Sequence, residues 1–130
     1  MQLNQITIPC LDYNVSIAFY TQLGLVQIVD APPRYARFES PNGDGATLSL
    51  HIRDQEAPSH TVIYFDHDSA AELDAHVKAL QALGLKFHKL PEDESWGWRE
   101  ARLKDPAGNE ICLMFAGKNR RFPDWRIDIG

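Results

Sequence analysis

Two stretches of alternating polar and apolar residues carry the side chains best suited to recognising a ligand. In the first stretch, polar Tyr35, Arg37 and Glu39 alternate with apolar Ala36 and Phe38. Successive side chains of a β-strand point to opposite faces, so the three polar residues share one face if the apolar pair packs against a helix. An arginine on such a face offers paired hydrogen bonds to a carboxylate or a phosphate.

The second stretch repeats this pattern later in the chain. Glu100 and Arg102 fall on one face by the same alternation, and Trp98 adds aromatic surface to that face. Arg37 and Arg102 together would suit an anionic ligand. The alternative is that the arginines are neutralised by carboxylates, with Arg37 on Glu100 and Arg102 on Glu39, because buried charges need partners.

Both cysteines and three of the histidines show no spacing that is typical of a catalytic or metal-binding motif. Cys10 and Cys112 lie far apart in predicted strands, where a lone thiol is typical of a small core residue. We assign His67, His76 and His88 to solvent or packing roles. The sequence has no Ser-His-Asp order and no phosphate loop, so we expect no nucleotide or organic cofactor.

Composition excludes several classes of function. The chain has 130 residues and a formal net charge of −5, whereas nucleic-acid binding favours a basic surface. No apolar run approaches the roughly 18 residues of a membrane span, and the first residues lack the pattern of a signal peptide. We therefore expect a cytoplasmic protein with neither a nucleic-acid nor a membrane partner.

An internal repeat organises the predicted elements. The stretch 99–115 is predicted as strand, turn and strand, with the turn at 105–108, where Pro and Gly favour the required backbone angles. Residues 37–43 begin the same layout earlier in the chain. Each copy follows a helical segment that ends in Leu-Gly-Leu, at 23–25 and at 83–85. The chain is predicted to contain two copies of one strand–helix–three-strand unit.

Local signals set the predicted ends of several elements. Gly24 suits the left-handed end of the first helix, and Ser69 with Glu72 forms a capping box at the start of the second. Residues 85–90 are predicted as a strand. Residues 91–95 are predicted as an acidic loop that begins at a proline.

These motifs together resemble the vicinal oxygen chelate superfamily, which includes glyoxalases, extradiol dioxygenases and bleomycin-resistance proteins. The resemblance rests on Asp12 followed by 16–20, on Leu-Gly-Leu at 23–25, and on Asp-Pro-Ala-Gly-Asn at 105–109 running into a strand. It covers roughly residues 3–116. One scaffold of this group hosts many chemistries, so the resemblance is more specific for fold than for function.

The fold implied is α+β, with two βαβββ modules forming a half-open mixed β-barrel around a cavity. We predict a single domain over residues 1–130, with modules at about 1–54 and 60–116 and a tail at 117–130. The resemblance also implies a homodimer that completes the cavity.

Enzymes of this group hold a divalent metal on one residue from each of four strands. By the resemblance, these positions fall on Gln5, seven residues before Asp12, and on Ser49, His60 and Cys112. The pattern expected there is Gln or His, Glu or His, His, and Glu. Two of the four positions match, and both carboxylates are missing.

The two missing carboxylates affect whether a metal binds and which metal it would be. A catalytic metal typically has about three protein ligands and one open position. Cys112 would have to be a thiolate, which favours zinc. His51 is a substitute ligand, because it lies two residues from Ser49 and therefore on the same strand face.

Two functions of different class remain open. The first is a metal-dependent lyase, isomerase or dioxygenase in which Gln5 and His60 hold the metal and Glu100 acts as a base. The second is a metal-free protein that binds or sequesters a small anionic or aromatic molecule through Trp98, Tyr35 and Arg37.

Overall fold

The computed structural model describes residues 1, 3–54 and 61–127. It divides into two compact units, Met1–Thr61 with Lys104–Asn109, and Val62–Leu103 with Glu110–Gly130. Across the described ranges, no helix combines the length and apolarity needed to cross a membrane. The prediction of a single domain stays a prediction.

Each unit contains a four-stranded sheet and one α-helix. The first unit contains β1 (Gln5–Cys10), α1 (Tyr13–Leu23), β2 (Val26–Ala31), β3 (Tyr35–Glu39) and β4 (Thr47–Ile52). The second half of the chain contains β5 (Val62–Asp66), α2 (Ala70–Ala82), β6 (Phe87–Asp93), β7 (Arg99–Lys104) and β8 (Glu110–Phe115), followed by a short 3₁₀ helix at Gly117–Arg120.

The two sheets have the same topology. Their strand orders are β1-β4-β3-β2 and β5-β8-β7-β6. The first strand of each module pairs in parallel with the last, and the two middle strands of each module pair antiparallel. The predicted α+β class and the two βαβββ modules are confirmed.

Caps and apolar faces explain the two helices. Asp12 accepts a hydrogen bond from the Val15 amide at 3.0 Å, and Gly24 ends α1 with a φ of 118°. Ser69 accepts from the Glu72 amide at 3.0 Å at the start of α2. Each helix buries an apolar face; in α2 this face consists of Leu73, Val77 and Leu80.

The alternation of β3 separates a core face from a polar face. Ala36 and Phe38 are fully buried, and the Phe38 ring lies 5.8 Å from the ring of Tyr20 in α1. Tyr35 and Arg37 are half-buried on the opposite face. The predicted orientation of this strand is therefore correct.

The prediction of a loop at 91–95 is wrong in part. Strand β6 continues through Pro91 and Glu92 to Asp93. Two features permit this: β6 is an edge strand, and its pairing with β7 shifts register between Lys89 and Glu92. A proline in an edge strand need not donate to a neighbour, so the sequence signal for a break does not apply there.

A buried carboxylate organises the turn between β7 and β8, which belongs to the first unit. Asp105 Oδ1 accepts hydrogen bonds from the amides of Ala107 at 2.9 Å and Asn109 at 2.8 Å. Its Oδ2 accepts from Asn109 Nδ2 and from the hydroxyl of Tyr20, a fully buried residue of α1. Asn109 Nδ2 also donates to the Pro9 carbonyl at 3.0 Å, which ties the turn to β1.

We expect Asp105→Ala to lower the free energy of unfolding by about 2–4 kcal/mol, because it leaves several buried donors without an acceptor. Asp44→Ala, at an exposed aspartate of another turn, should change it by less than about 0.5 kcal/mol. Urea unfolding monitored by circular dichroism measures both. Equal stability of the two variants would show that the Asp105 contacts contribute nothing.

Candidate functional site

The second unit holds a buried carboxylate on the polar face of its sheet. Glu100 in β7 is only 2% exposed. Its Oε1 accepts from Arg102 Nη2 at 3.1 Å and lies 3.5 Å from the Cys112 thiol, while its Oε2 accepts from Trp96 Nε1 at 2.8 Å. Both carboxylate oxygens therefore already have donors.

Arg102 links this carboxylate to a second one. Its Nη1 lies 3.4 Å from Glu110 Oε2 in β8, and the other oxygen of Glu110 lies 2.8 Å from His88 Nε2. Arg102 Nη2 also lies 3.4 Å from the Tyr64 hydroxyl. Two carboxylates of its own unit thus compensate the charge of Arg102, and these carboxylates are different from the predicted partner Glu39.

Aromatic side chains surround the charged pair. The rings of Tyr64 and Trp98 meet edge to face with centroids 6.0 Å apart. Trp98 Nε1 donates to the Asn119 carbonyl at 3.3 Å, which ties the chain after β8 to this wall. Trp96 and Trp125 are 42% and 64% exposed.

These residues line one cavity of about 380 Å³ in the second unit. We call it the tryptophan cavity. Its walls are formed by Tyr64, Trp96, Trp98, Glu100, Arg102, Asn119, Arg120, Pro123 and Trp125. The chain has three tryptophans, and all three lie in these walls.

The first unit has a different arrangement on its polar face. Arg37 donates to the Tyr35 hydroxyl from Nε at 3.0 Å and from Nη2 at 2.8 Å, and that hydroxyl lies 2.7 Å from Ser49 Oγ. Burial raises the pKa of Tyr35, but hydrogen bonds from Ser49 and Arg37 and the charge of Arg37 outweigh it, so the pKa lies below its ordinary value. The predicted ligand residues Tyr35 and Arg37 are thus brought together.

Three of the four positions that the resemblance predicts as metal ligands lie within the described residues. Gln5 is exposed, and its amide Nε2 donates to the Thr7 hydroxyl. The Ser49 hydroxyl is fully buried and bound to Tyr35. Burial and then the charge of Glu100 raise the pKa of Cys112 to about 12, which keeps it a thiol.

The two histidines proposed as ligands have different outcomes. His60 lies outside the described residues. His51 lies on the same face as Ser49, opposite Tyr35 in the strand register, and its Nδ1 is buried without a hydrogen-bond partner among the described residues. No group of three or more His, Cys, Asp or Glu that could hold a metal occurs in 1, 3–54 and 61–127. Metal ligation by Gln5, His51, His60 and Cys112 stays a prediction.

Sequence reasoning did not include Tyr64, Trp96 and Glu110 in the site. Tyr64 could have been found through the repeat. It lies opposite Cys112 in its sheet as Thr7 lies opposite Ser49, and both Cys112 and Ser49 were predicted metal positions. Trp96 gave no such signal, since it precedes the start of β7 and reaches Glu100 only through the turn before that strand.

Two βαβββ modules with a polar face on each sheet define a known class of protein. The family model of the Glyoxalase/Bleomycin resistance protein/Dioxygenase superfamily matches residues 2–113, which is most of the chain. The chain therefore belongs to this superfamily. A comparison with curated proteins gives no match.

Solved structures share the fold at low sequence identity. A glyoxalase/bleomycin resistance protein/dioxygenase from Nocardioides is 24% identical, with a TM-score of 0.74 over 89% of this chain and 83% of that one. A lactoylglutathione lyase from Agrobacterium tumefaciens is 19% identical, with a TM-score of 0.73 over 87% and 92%. TioX from Micromonospora sp. ML1 is 15% identical, with a TM-score of 0.70 over 89% and 99%. At these identities, the likeness shows the fold alone.

We expect both cysteines of the native protein to react slowly with Ellman's reagent at pH 8. Both are fully buried, and burial raises both thiol pKa values, so the thiolate fraction near neutral pH is small. Both thiols should react rapidly when the protein is unfolded in guanidinium chloride. Added zinc should not change the rate of the thiol reaction in the native protein. A fast native reaction that disappears in Cys112→Ala but not in Cys10→Ala would show that Cys112 can ionise.

We expect Arg102→Ala to destabilise the protein by about 2–3 kcal/mol, because it leaves the buried Glu100 carboxylate short of its cation. Arg99→Ala is a matched control, since Arg99 pairs with the more exposed Asp74 and Asp93, and it should cost about 1 kcal/mol or less. Replacing Glu100 by Gln in the Arg102→Ala background should recover part of the loss. Urea unfolding of the three variants measures the coupling, and equal losses in the two single variants would contradict it.

Proposed function

We propose that this protein binds a small aromatic molecule in the tryptophan cavity without needing a metal. The observation that carries the proposal is that all three tryptophans of the chain line that cavity together with Tyr64. Aromatic rings attract other flat rings by stacking and edge contacts and bury a large apolar area. Two of these tryptophans remain substantially exposed, and a ligand would cover them.

The charged residues among the cavity walls would orient such a ligand. Glu100 and Arg102 are paired with each other, and the third charged wall residue, Arg120, lies 3.8 Å from Asp66, so the walls offer donors and acceptors but little net charge. This favours a neutral aromatic compound that carries a hydrogen-bonding group over a strongly anionic one. Binding of this type would sequester a small molecule without a metal.

The metal-dependent enzyme is the second candidate, and its support is weaker. It would need Gln5 and His60 as ligands together with a third donor. The Ser49 hydroxyl is bound to Tyr35 and Cys112 is a buried thiol, so His51, whose Nδ1 has no hydrogen-bond partner among the described residues, would have to be the third donor. Glu100 would have to release an existing hydrogen bond before it could act as a base. A cytoplasmic location and a homodimer remain predictions.

We expect the neutral fluorescent probe N-phenyl-1-naphthylamine to bind and to quench the intrinsic tryptophan fluorescence. Trp98→Ala should weaken binding by about tenfold, since it removes one stacking surface and its apolar area. Phe122→Ala is the control, because Phe122 is an exposed aromatic residue of the second unit that is not among the walls of the cavity. Equal affinity of Trp98→Ala and the wild type would contradict the proposal.

The same titration distinguishes the two functions. The chelator EDTA should leave the affinity for the probe unchanged, and protein purified without chelator should contain no stoichiometric zinc, nickel or manganese. Metal at one ion per chain that is lost in both Gln5→Ala and His60→Ala would instead support the enzyme.

A further inference from the structure

A second cavity, in the first unit, contains an arginine that is used differently from Arg102. Strand β3 directs Arg37 to the polar face of its sheet, where the side chain is half-buried. Two of its N–H groups, on Nε and Nη2, donate to the Tyr35 hydroxyl. Ser49 in turn binds that hydroxyl, so the guanidinium is held in one orientation.

The Arg37 guanidinium has more N–H groups than Tyr35 uses. A guanidinium carries five N–H groups in a fixed plane and cannot lose its charge in a protein. With two groups used by Tyr35, three remain, including both on Nη1. Within the described part of the first unit, Arg37 forms no ion pair, in contrast to the two carboxylate partners of Arg102.

The surroundings of Arg37 also suit an anion. It lines a cavity of about 360 Å³ together with Leu3, Asn4, Gln5, Ile28, Gly45 and Thr47. Arg37 is the single charged residue among these described walls, and Asn4, Gln5 and Thr47 are polar and uncharged. A half-buried cation without a counter-charge gains the most when an anion with matching geometry binds to it.

We propose that this cavity is a binding site for a small oxyanion, the carboxylate or phosphate group of a small molecule, with Arg37 as its main ligand. Two oxygens of either group match two parallel N–H bonds of a guanidinium. The site is built from residues of the first unit, none of which lines the tryptophan cavity, so it does not depend on the proposed function. The sequence predicted that Arg37 and Arg102 together bind an anion; in this proposal Arg37 binds it without Arg102.

Titration of the full chain with inorganic phosphate and with acetate tests the proposal. Binding is followed by ¹H–¹⁵N NMR at a constant ionic strength. We expect saturable shifts in the wild type and an affinity lower by about tenfold or more in Arg37→Ala. Arg37→Gln serves as a second variant, and thermal unfolding checks that each variant folds. Arg34→Ala, at an exposed arginine of the preceding loop, removes the same charge and should bind like the wild type.

The two probes distinguish the possible sources of the oxyanion. Tighter binding of phosphate indicates a phosphorylated ligand, and equal or tighter binding of acetate indicates a carboxylate. Either result supports the site if the binding is lost in Arg37→Ala. Loss of affinity to the same extent in Arg34→Ala, or no saturation in the folded wild type with either probe, would overturn it.

A further variant tests how Arg37 is held. Tyr35→Phe keeps the charge of Arg37 but removes the hydroxyl that fixes the guanidinium. We expect a smaller loss of affinity than in Arg37→Ala, together with a shift of the Arg37 Nε–H resonance before any ligand is added. An unchanged resonance and unchanged affinity would show that Tyr35 does not position Arg37.

Discussion

The alternation of side chains along a β-strand is the constraint on which the rest of this structure depends. Strand β3 buries every second residue, so the residues between them must lie on the opposite face. Ala36 and Phe38 are fully buried, which leaves Tyr35 and Arg37 on the polar face of the first sheet. A shift of one residue would bury an arginine and expose a phenylalanine, which fixes the register strongly.

The same scaffold carries a different electrostatic arrangement in each copy. In the second unit, Arg102 lies between Glu100 and Glu110, and the cavity beside it is aromatic and nearly neutral. In the first unit, Arg37 binds a phenol instead of a carboxylate and keeps its charge for other partners. The two modules thus share one topology but differ in the charges and partners on their polar faces.

Two of the predicted metal positions have hydrogen-bonding partners of their own. Ser49 has a tyrosine partner, and Cys112 is a buried thiol beside a carboxylate. Each contact satisfies a polar atom that would otherwise be buried without a partner, which costs about 1–3 kcal/mol. These contacts stabilise the fold at two of the positions that the resemblance predicts as metal ligands.

The sequence by itself determined the class of fold, because periodicity, caps and a repeated turn motif are local properties. It predicted the strand that carries Tyr35, Arg37 and Glu39, and it identified Ser69 and Gly24 at helix ends. It also predicted which face Arg37 occupies. Only the tertiary structure decided the partners of each charge, the extension of β6 through Pro91, and the inclusion of Tyr64 and Trp96 in one cavity. Those features depend on which strands become neighbours and at what register, and no local pattern in the chain encodes such distances.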